Sequence, residues 1–457
     1  MRRRWIVLAL VAVVMMMGYV FWDIMSPMST TLKASVASGG MGWTAEEYGF
    51  YAGSYSIFNI FFLMLFFAGV ILDKFGIRLT GLLATGAMLL GALINFYALW
   101  RVSPLRELSP GFTLFGLIPS QVKAQVLVAA LGFGMFGVGC DITGITVSKV
   151  ITKWFTGHEL ASAMGIQVAL ARLGTASALS FSPLIALHWG VSAPLIAGAA
   201  LLLLGFVLFI VYCSMDRRRG HGDGDVGVSP AIKGDGDDAF RFRDFLTVLK
   251  NPGFWAIALL CVFFYSSIRP FMKFATDLMV TQYGVSETTG GWIVAAIPYG
   301  TIVFTPLFGA IYDRVGHGAL LMLTGCGVLT ACHLCLLLPA VREAWYALVV
   351  MVFLGVAYSL TPSTLWPSVP KIVPLKQLGT AYSIIYFIQN IGLMVTPIYV
   401  GNLIDRAASP AAPTSAPVYT SSLIVFAVLG ALATLMSLLL LRLDKRHPLG
   451  LEQSNIQ

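Results

Sequence analysis

Stretches of apolar residues long enough to cross a lipid bilayer recur along the whole chain. A helix needs about 20 mostly apolar residues to span the hydrocarbon core, and the sequence offers twelve such windows with few charges inside them. Charged residues make up 11% of the chain, against roughly a quarter in soluble domains. These features predict an all-α membrane protein and exclude a soluble globular core.

The predicted spans fall into two sets of six. A polar, Gly/Asp-rich segment with the composition of a flexible cytoplasmic linker separates the sets. We therefore predict an N-terminal six-helix bundle over 1–213, a linker over 214–250, and a C-terminal six-helix bundle with a short tail over 251–457. The twelve spans lie near 5–32, 46–72, 78–100, 125–149, 158–187, 191–213, 252–282, 286–312, 317–338, 343–369, 376–404 and 417–442.

Basic residues are distributed unevenly between the predicted loops. Most of the 29 Lys and Arg residues lie on the side that carries the N-terminus, so the positive-inside rule predicts that both termini are cytoplasmic. The first apolar run is long and lacks a small-residue cleavage site, which favours a first span over a signal peptide. The net charge of +8 reflects this topology and contact with lipid headgroups, and we expect no nucleic acid partner.

The second half of the chain repeats the first. GVILDKFG at 69–76 recurs as GAIYDRVG at 309–316, each at the end of the second span of its half. Residues 137–174 also align with 355–392 without a gap. The two halves therefore look like a duplicated six-helix bundle with approximate internal symmetry.

Two charged residues break this symmetry. In the alignment, Asp141 of span 4 faces Ser359 and Arg172 of span 5 faces Asn390. At a rise of about 1.5 Å per residue, both charges lie near the middle of the membrane, where a lone charge costs roughly 2.5–3.5 kcal/mol. A structural salt bridge between the two is one interpretation. We prefer a polar cavity in which Asp141 receives the amino group of a zwitterion and Arg172 its carboxylate.

The repeated GVILDKFGIR and GAIYDRVG motifs resemble the loop signature of the major facilitator superfamily. The resemblance covers essentially the whole chain. It implies two pseudo-symmetric six-helix bundles that rock about a central site, in the manner called alternating access. In the second copy, His317 and Gly318 replace the usual basic pair.

A narrower resemblance concerns the substrate. GCDITGITVSKVITKWFTGHELASAMGIQVALARLGT, SLTPSTLWPSVPKIVP, GTAYSIIYFIQNIG and FWDIMSP look like regions of the lysosomal dipeptide transporter branch of that superfamily. The resemblance implies that Asp141 and Arg172 take the positions that hold the amino and carboxyl termini of a peptide. Asp141 is shorter by one methylene than the glutamate expected there.

Further polar and aromatic residues are candidates for the same cavity. Tyr55 and Asn59 lie one helical turn apart on span 2 and share a face. Aromatic walls suit variable peptide side chains because they offer contact area without specific hydrogen-bond demands. The remaining candidates for substrate contact are Tyr265, Tyr299, Trp366 and Gln389.

Several charged residues are candidates for gating or coupling. Lys273 and Asp277 are four residues apart in span 7, which predicts a pair between them. Asp23 of span 1 either pairs with Arg269 or carries a proton. Together with the charges of the repeated loop motif, the candidates are Asp23, Asp73, Arg78, Arg269, Asp313 and Arg314.

No nucleotide-binding glycine loop, nucleophile–base pair or metal cluster is evident in the sequence. We therefore expect a transporter rather than an enzyme, with no cofactor and no metal. The leading hypothesis is transport of dipeptides or similarly small zwitterions by a monomer in the inner membrane of a bacterium. A proton-coupled or exchanging carboxylate transporter is the nearest alternative, and a receptor or scaffold is disfavoured because the linker and tails hold no folded domain.

Overall fold

Helices dominate the described part of the chain. The computed structural model describes residues 2–110, 116–155, 159–222, 248–338, 341–374, 377–409, 417–446 and 449–454. Within these residues, eleven helices are long and apolar enough to cross a membrane. The predicted all-α membrane architecture is confirmed.

The first half of the chain forms one bundle. In it α1 packs against α5, α6 and α7, α4 packs against α5 and α7, and α3 packs against α5. A short antiparallel pair of strands, β1 and β2, connects α4 to α5. The elements are α1 Arg2–Asp23, α2 Ser29–Lys33, α3 Ala45–Phe61, α4 Met64–Arg101, β1 Glu107–Leu108, β2 Val122–Lys123, α5 Ala124–Phe155, α6 Leu160–Trp189 and α7 Ala193–Gly222.

The second half forms a matching bundle. Here α9 packs against α11, α10 packs against α11 and α13, and α8 packs against α12 and α13. The predicted pair of six-helix bundles is therefore confirmed. The helices are α8 Pro252–Tyr283, α9 Glu287–Val315, α10 Gly318–Leu337, α11 Ala344–Ile372, α12 Leu378–Ala408 and α13 Thr420–Arg446.

The second predicted span, 46–72, is not one continuous helix. α3 ends at Phe61, and the chain re-enters a helix at Met64 after Leu63 adopts a left-handed conformation with φ 50°. α4 then bends at Gly76, where a φ of 75° suits a residue without a side chain. The first turns of α4 thus extend the span that α3 begins.

The first residues of the predicted linker are helical. α7 continues to Gly222 and so includes the first residues of the segment 214–250. Residues 223–247 lie outside the described part of the chain. The boundaries of the predicted linker therefore stay a prediction.

Local capping signals fix where several helices begin. Thr44 and Glu47 form a capping box at the start of α3. The Asn251 side chain accepts hydrogen bonds from the first N–H groups of α8, whose first residue is Pro252. These caps satisfy backbone N–H groups that have no partner within the helix.

The two bundles meet closely on the side of the molecule opposite the start of α1 and the end of α13. We call the side where α1 begins and α13 ends the terminal side, and the opposite side the far side. α3 packs on α12, and α6 packs on α9. A Cβ added to Gly49 would lie 2.3 Å from the carbonyl oxygen of Pro397, and one added to Gly291 would lie 2.4 Å from that of Leu179. Such close approach of backbones requires glycine.

Polar contacts between the bundles reinforce the far side. Asp277, near the end of α8, accepts a hydrogen bond from Thr30 at 2.7 Å and also binds Lys33 and Tyr419. Asp405 of α12 accepts hydrogen bonds from the first two N–H groups of α3, at 2.9 and 2.6 Å. An acidic side chain at a helix N-terminus is stabilised by the helix dipole. The far side is closed in this structure.

Three ion pairs on the terminal side lie within the N-terminal bundle. Arg4 of α1 binds Glu159 before α6 at 2.8 Å. Arg78 and Lys153 both bind Asp216 of α7, each at 2.8 Å. These pairs stiffen the N-terminal bundle internally and do not join it to its neighbour.

Candidate functional site

A cavity of about 500 Å³ lies between the two bundles. Its lining comes from α1, α3, α5 and α6 of one bundle and from α8, α9, α11 and α12 of the other. Lining residues such as Ser148 of α5 and Ser363 of α11 lie on the terminal side of its centre. Among the described residues, the charged side chains in its wall are Asp141, Arg172 and Arg269.

Asp141 is held in the cavity wall by neutral donors. Tyr55 donates its hydroxyl to one carboxylate oxygen at 2.7 Å, and the Asn59 amide donates to the other at 2.6 Å. Asn59 is itself buried behind the wall. Asp141 forms no salt bridge with any described cation, so its charge is hydrogen-bonded but not neutralised. The sequence predicted the pairing of Tyr55 and Asn59 on one face, and the structure brings both to Asp141.

Arg172 faces the same cavity from α6. Its Nη1 donates a hydrogen bond to the Tyr358 hydroxyl at 2.8 Å, and its guanidinium carbon lies 4.6 Å from the centre of that ring. Within the described residues Arg172 makes no ion pair. The interpretation of Asp141 and Arg172 as a structural salt bridge is therefore wrong for this conformation, since each has a neutral partner instead.

An aromatic stack extends the wall near Asp141. Trp22 of α1 lies parallel to Tyr55, with ring centres 4.2 Å apart and an angle of 9° between the planes. Tyr19 contacts Trp22 at 5.3 Å. The Tyr55 hydroxyl is thereby held in position to donate to Asp141.

A second aromatic group lines the cavity from the C-terminal bundle. Trp366 donates its indole N–H to the Tyr265 hydroxyl at 3.1 Å, and its ring stacks on Tyr386 at 5.0 Å. Gln389 accepts a weak hydrogen bond from Cys261 at 3.7 Å and also lines the cavity. Three predicted substrate contacts of the C-terminal bundle thus lie in the wall, namely Tyr265, Trp366 and Gln389.

Tyr299 lies outside the cavity lining. Its ring is nearly parallel to that of Trp292, about two helical turns away on α9, with centres 6.5 Å apart. Trp292 in turn meets Phe181 of α6 edge to face at 5.4 Å. The rotation of α9 against α6 therefore directs Tyr299 into helix packing.

The charges of α8 pair across the bundles. Lys273 binds Asp23 at 2.8 Å, and Arg269 lies 3.9 Å from the other oxygen of Asp23. The predicted pair between Lys273 and Asp277 is wrong, because Asp277 binds Lys33 instead. Lys273 binds the end of α1 and Asp277 binds α2, so each pairs with the other bundle and not with its neighbour on α8.

The cavity wall does not include Arg78, Asp313 or Arg314 of the repeated loop motif. The side chain of Asp73 is outside the described part of the structure. In the second copy, Asp313 is partly buried and Arg314 is exposed at the end of α9. Their assignment to gating stays a prediction.

Sequence reasoning missed several residues of the wall. Trp22 and Tyr19 lie on α1 just before Asp23. Tyr358 of α11 contacts Arg172, and Tyr386 of α12 stacks on Trp366. For Tyr358, the internal repeat could have predicted a place in the wall. Tyr358 directly precedes Ser359, the counterpart of Asp141, and so takes the position of Cys140, which also lines the cavity.

The chain matches a model of the Major Facilitator Superfamily over residues 7–280 and 272–455. Two relatives are named lysosomal dipeptide transporter MFSD1. The protein from Bos taurus is 26% identical over 356 residues, covering 75% of this chain and 68% of the relative. That from Homo sapiens is 24% identical over 354 residues, covering 75% and 69%. The resemblance inferred from the sequence motifs is confirmed.

Solved structures of transporters share the fold. A D-xylose–proton symporter superposes with a TM-score of 0.68 at 13% identity, covering 95% of this chain and 97% of the other. A bacterial homologue of the human lysosomal transporter Spinster, in an inward-facing and occupied conformation, gives 0.65 at 13%, covering 95% and 96%. Together with the match over nearly the whole sequence, these likenesses establish that the chain belongs to the Major Facilitator Superfamily of multi-pass membrane transporters.

Proposed function

We propose that this protein transports dipeptides or similarly small zwitterions across the membrane by alternating access. The observation that carries the proposal is that Asp141 and Arg172 line one cavity without neutralising each other. Charges buried near the middle of a membrane are costly and mark substrate pathways. A zwitterion supplies the opposite charge that each of them lacks.

The two groups suit the two ends of a peptide. The Asp141 carboxylate accepts hydrogen bonds from Tyr55 and Asn59 and has lone pairs left for an ammonium group. The Arg172 guanidinium uses one donor on Tyr358 and keeps others for a carboxylate, which it binds as a fork. The aromatic rings between them provide apolar area for peptide side chains.

Two relatives that are named lysosomal dipeptide transporter MFSD1 support this substrate class. We further propose that the protein works as a monomer in a bacterial inner membrane. The distribution of basic residues favours an orientation with both termini cytoplasmic. In that orientation the cavity of this conformation extends toward the cytoplasm. Transport then requires the far side to open and the terminal side to close.

A carboxylate transporter is the second candidate, favoured by a specific observation. The described charged residues of the cavity wall comprise two arginines and one aspartate. A small organic anion would bind the arginines, and Asp141 would then carry a coupling proton. This candidate predicts binding without any requirement for an amino group.

The test is ligand-dependent thermal stabilisation of the purified protein. A ligand that binds the folded state raises the apparent stability by an amount that grows with its excess over the dissociation constant. We expect stabilisation by dipeptides such as Ala-Gln, and its loss in Arg172→Ala. Removing one partner of a buried charge pair costs about 2 kcal/mol or more, roughly 30-fold in affinity.

Arg106→Ala is the matched control, because it removes the same charge from an exposed position outside the cavity. Stabilisation by small carboxylates, without any response to dipeptides, would contradict the proposal in favour of the second candidate. Equal stabilisation of the wild type and Arg172→Ala by dipeptides would remove Arg172 from the binding site.

A further inference from the structure

The cavity contains one more positive charge than a zwitterion requires. If Asp141 takes the amino group and Arg172 takes the carboxylate, Arg269 remains as an additional cation in the wall. Its side chain is 11% exposed. A guanidinium in such a setting retains its charge, so it needs either a partner or a ligand.

Asp23 is already committed to another cation. Lys273 binds Asp23 at 2.8 Å and also donates to the Trp22 carbonyl at 2.7 Å. Arg269 makes a longer ion pair with the other oxygen of Asp23, at 3.9 Å and beyond hydrogen-bond distance. Lys273 and Arg269 thus share the single negative charge of Asp23, and the three groups together keep one net positive charge.

Aromatic rings also contact Arg269, and they add no negative charge. Its guanidinium carbon lies 4.6 Å from the centre of the Trp22 ring, 5.8 Å from that of Tyr19 and 5.6 Å from that of Tyr358. Such cation–π contacts hold the plane of the group in place. Arg269 donates no hydrogen bond to a described residue, so its donors are available to a ligand in the cavity.

Tyr358 connects this additional cation to the first. The same ring contacts the guanidinium groups of Arg172 and Arg269, at 4.6 and 5.6 Å from its centre. Two oriented guanidinium groups beside one ring form a site for two anionic groups of a single small molecule.

We propose that Arg269 forms a second anion subsite and that the preferred substrates are dipeptides with an acidic side chain. This inference rests on the proposed function, and it names the class of peptide that the site selects. Such a peptide carries one ammonium and two carboxylates, which match Asp141, Arg172 and Arg269 one to one. Neutral dipeptides leave the net positive charge of Arg269, Lys273 and Asp23 uncompensated, and basic ones add a further positive charge to the cavity.

The experiment compares isosteric peptides by calorimetric titration of the purified full-length protein. Two pairs are used, Ala-Glu against Ala-Gln and Glu-Ala against Gln-Ala, because each pair differs in charge but scarcely in shape. In the wild type we expect the acidic peptide of at least one pair to bind about tenfold more tightly than its neutral isostere, as a charge-assisted pair is stronger than a neutral hydrogen bond. In Arg269→Gln the ratio of the two dissociation constants should fall to near one.

The readout is the ratio of the two dissociation constants, so a variant that binds both peptides more weakly to the same degree leaves the ratio unchanged. Arg269→Lys keeps the charge and loses the planar fork, and it should retain part of the selectivity. The wild-type comparison needs no variant and tests the inference even if Arg269→Gln does not fold.

Three outcomes would overturn the inference. If neutral dipeptides bind and neither acidic isostere binds more tightly, the second subsite is absent while the proposed function stands. If Arg269→Gln keeps a tenfold ratio, the selectivity belongs to another residue. If no dipeptide binds but succinate does, the proposed function fails together with the inference.

Discussion

Individual side chains at the cavity are held by neutral partners, which leaves their charges available. Asp141 has a tyrosine and an asparagine as donors, and Arg172 has a tyrosine as acceptor. An internal ion pair would have satisfied both charges at the expense of ligand binding. The arrangement instead orients each charged group while a substrate remains the partner with the opposite charge.

Asp141→Asn tests the role of that charge directly. We expect about tenfold or greater loss of dipeptide affinity, because the amide neither attracts an ammonium group nor accepts hydrogen bonds on both of its terminal atoms. Titration calorimetry with Ala-Gln measures the change. N-acetylated Ala-Gln serves as the control ligand, since it has no ammonium group and should bind the wild type and the variant alike. An unchanged affinity for free Ala-Gln would show that the amino group binds elsewhere.

Pairs of helices determine which side of the molecule is closed. On the far side, α3 meets α12 and α6 meets α9 at distances that exclude side chains from the contact, as the positions of Gly49 and Gly291 show. Gly401 of α12 repeats the pattern, because a Cβ there would lie 2.2 Å from the carbonyl oxygen of Ala45. The same contacts must separate when the far side opens.

Gly49→Val should shift the population away from the conformation described above. The added atoms meet the backbone of Pro397, which cannot move aside as a flexible side chain would. Spin labels at the exposed far-side positions Ser35 and Glu343 report the separation of the bundles. We expect a longer mean distance in the variant than in the labelled parent.

Gly327→Val is the matched control for this shift, because a Cβ at Gly327 meets no atom within 4 Å. It should leave the distance distribution unchanged. If Gly49→Val also leaves the distribution unchanged, the close contact of α3 with α12 does not govern closure of the far side.

For the molecule as a whole, the orientation in the membrane decides which compartment the cavity serves. The basic residues favour cytoplasmic termini. In a cysteine-free background, Ser35→Cys should react with a membrane-impermeant maleimide added to intact cells, whereas Gln453→Cys should react after the cells are opened. Labelling of Gln453→Cys alone in intact cells would reverse the orientation.

Much of the architecture follows from local properties of the sequence. Apolar windows of membrane length predicted the helices, because the bilayer forces each segment to satisfy its own backbone hydrogen bonds. The internal repeat predicted the two bundles. The unmatched charges Asp141 and Arg172 identified the cavity, since a charge at that depth needs a polar surrounding. The interruption at Leu63 escaped prediction, because the apolar residues on either side continue without a polar break.

Contacts between distant helices needed the tertiary structure. Spacing on α8 suggested that Lys273 pairs with Asp277, yet Lys273 binds Asp23 and Asp277 binds Lys33. Tyr299 similarly belongs to helix packing and not to the cavity. The rotation of each helix about its axis decides such contacts, and packing against other helices sets that rotation. The sequence therefore determined which segments span the membrane and which charges need a partner, while the packing of the bundles decided which partner each charge has.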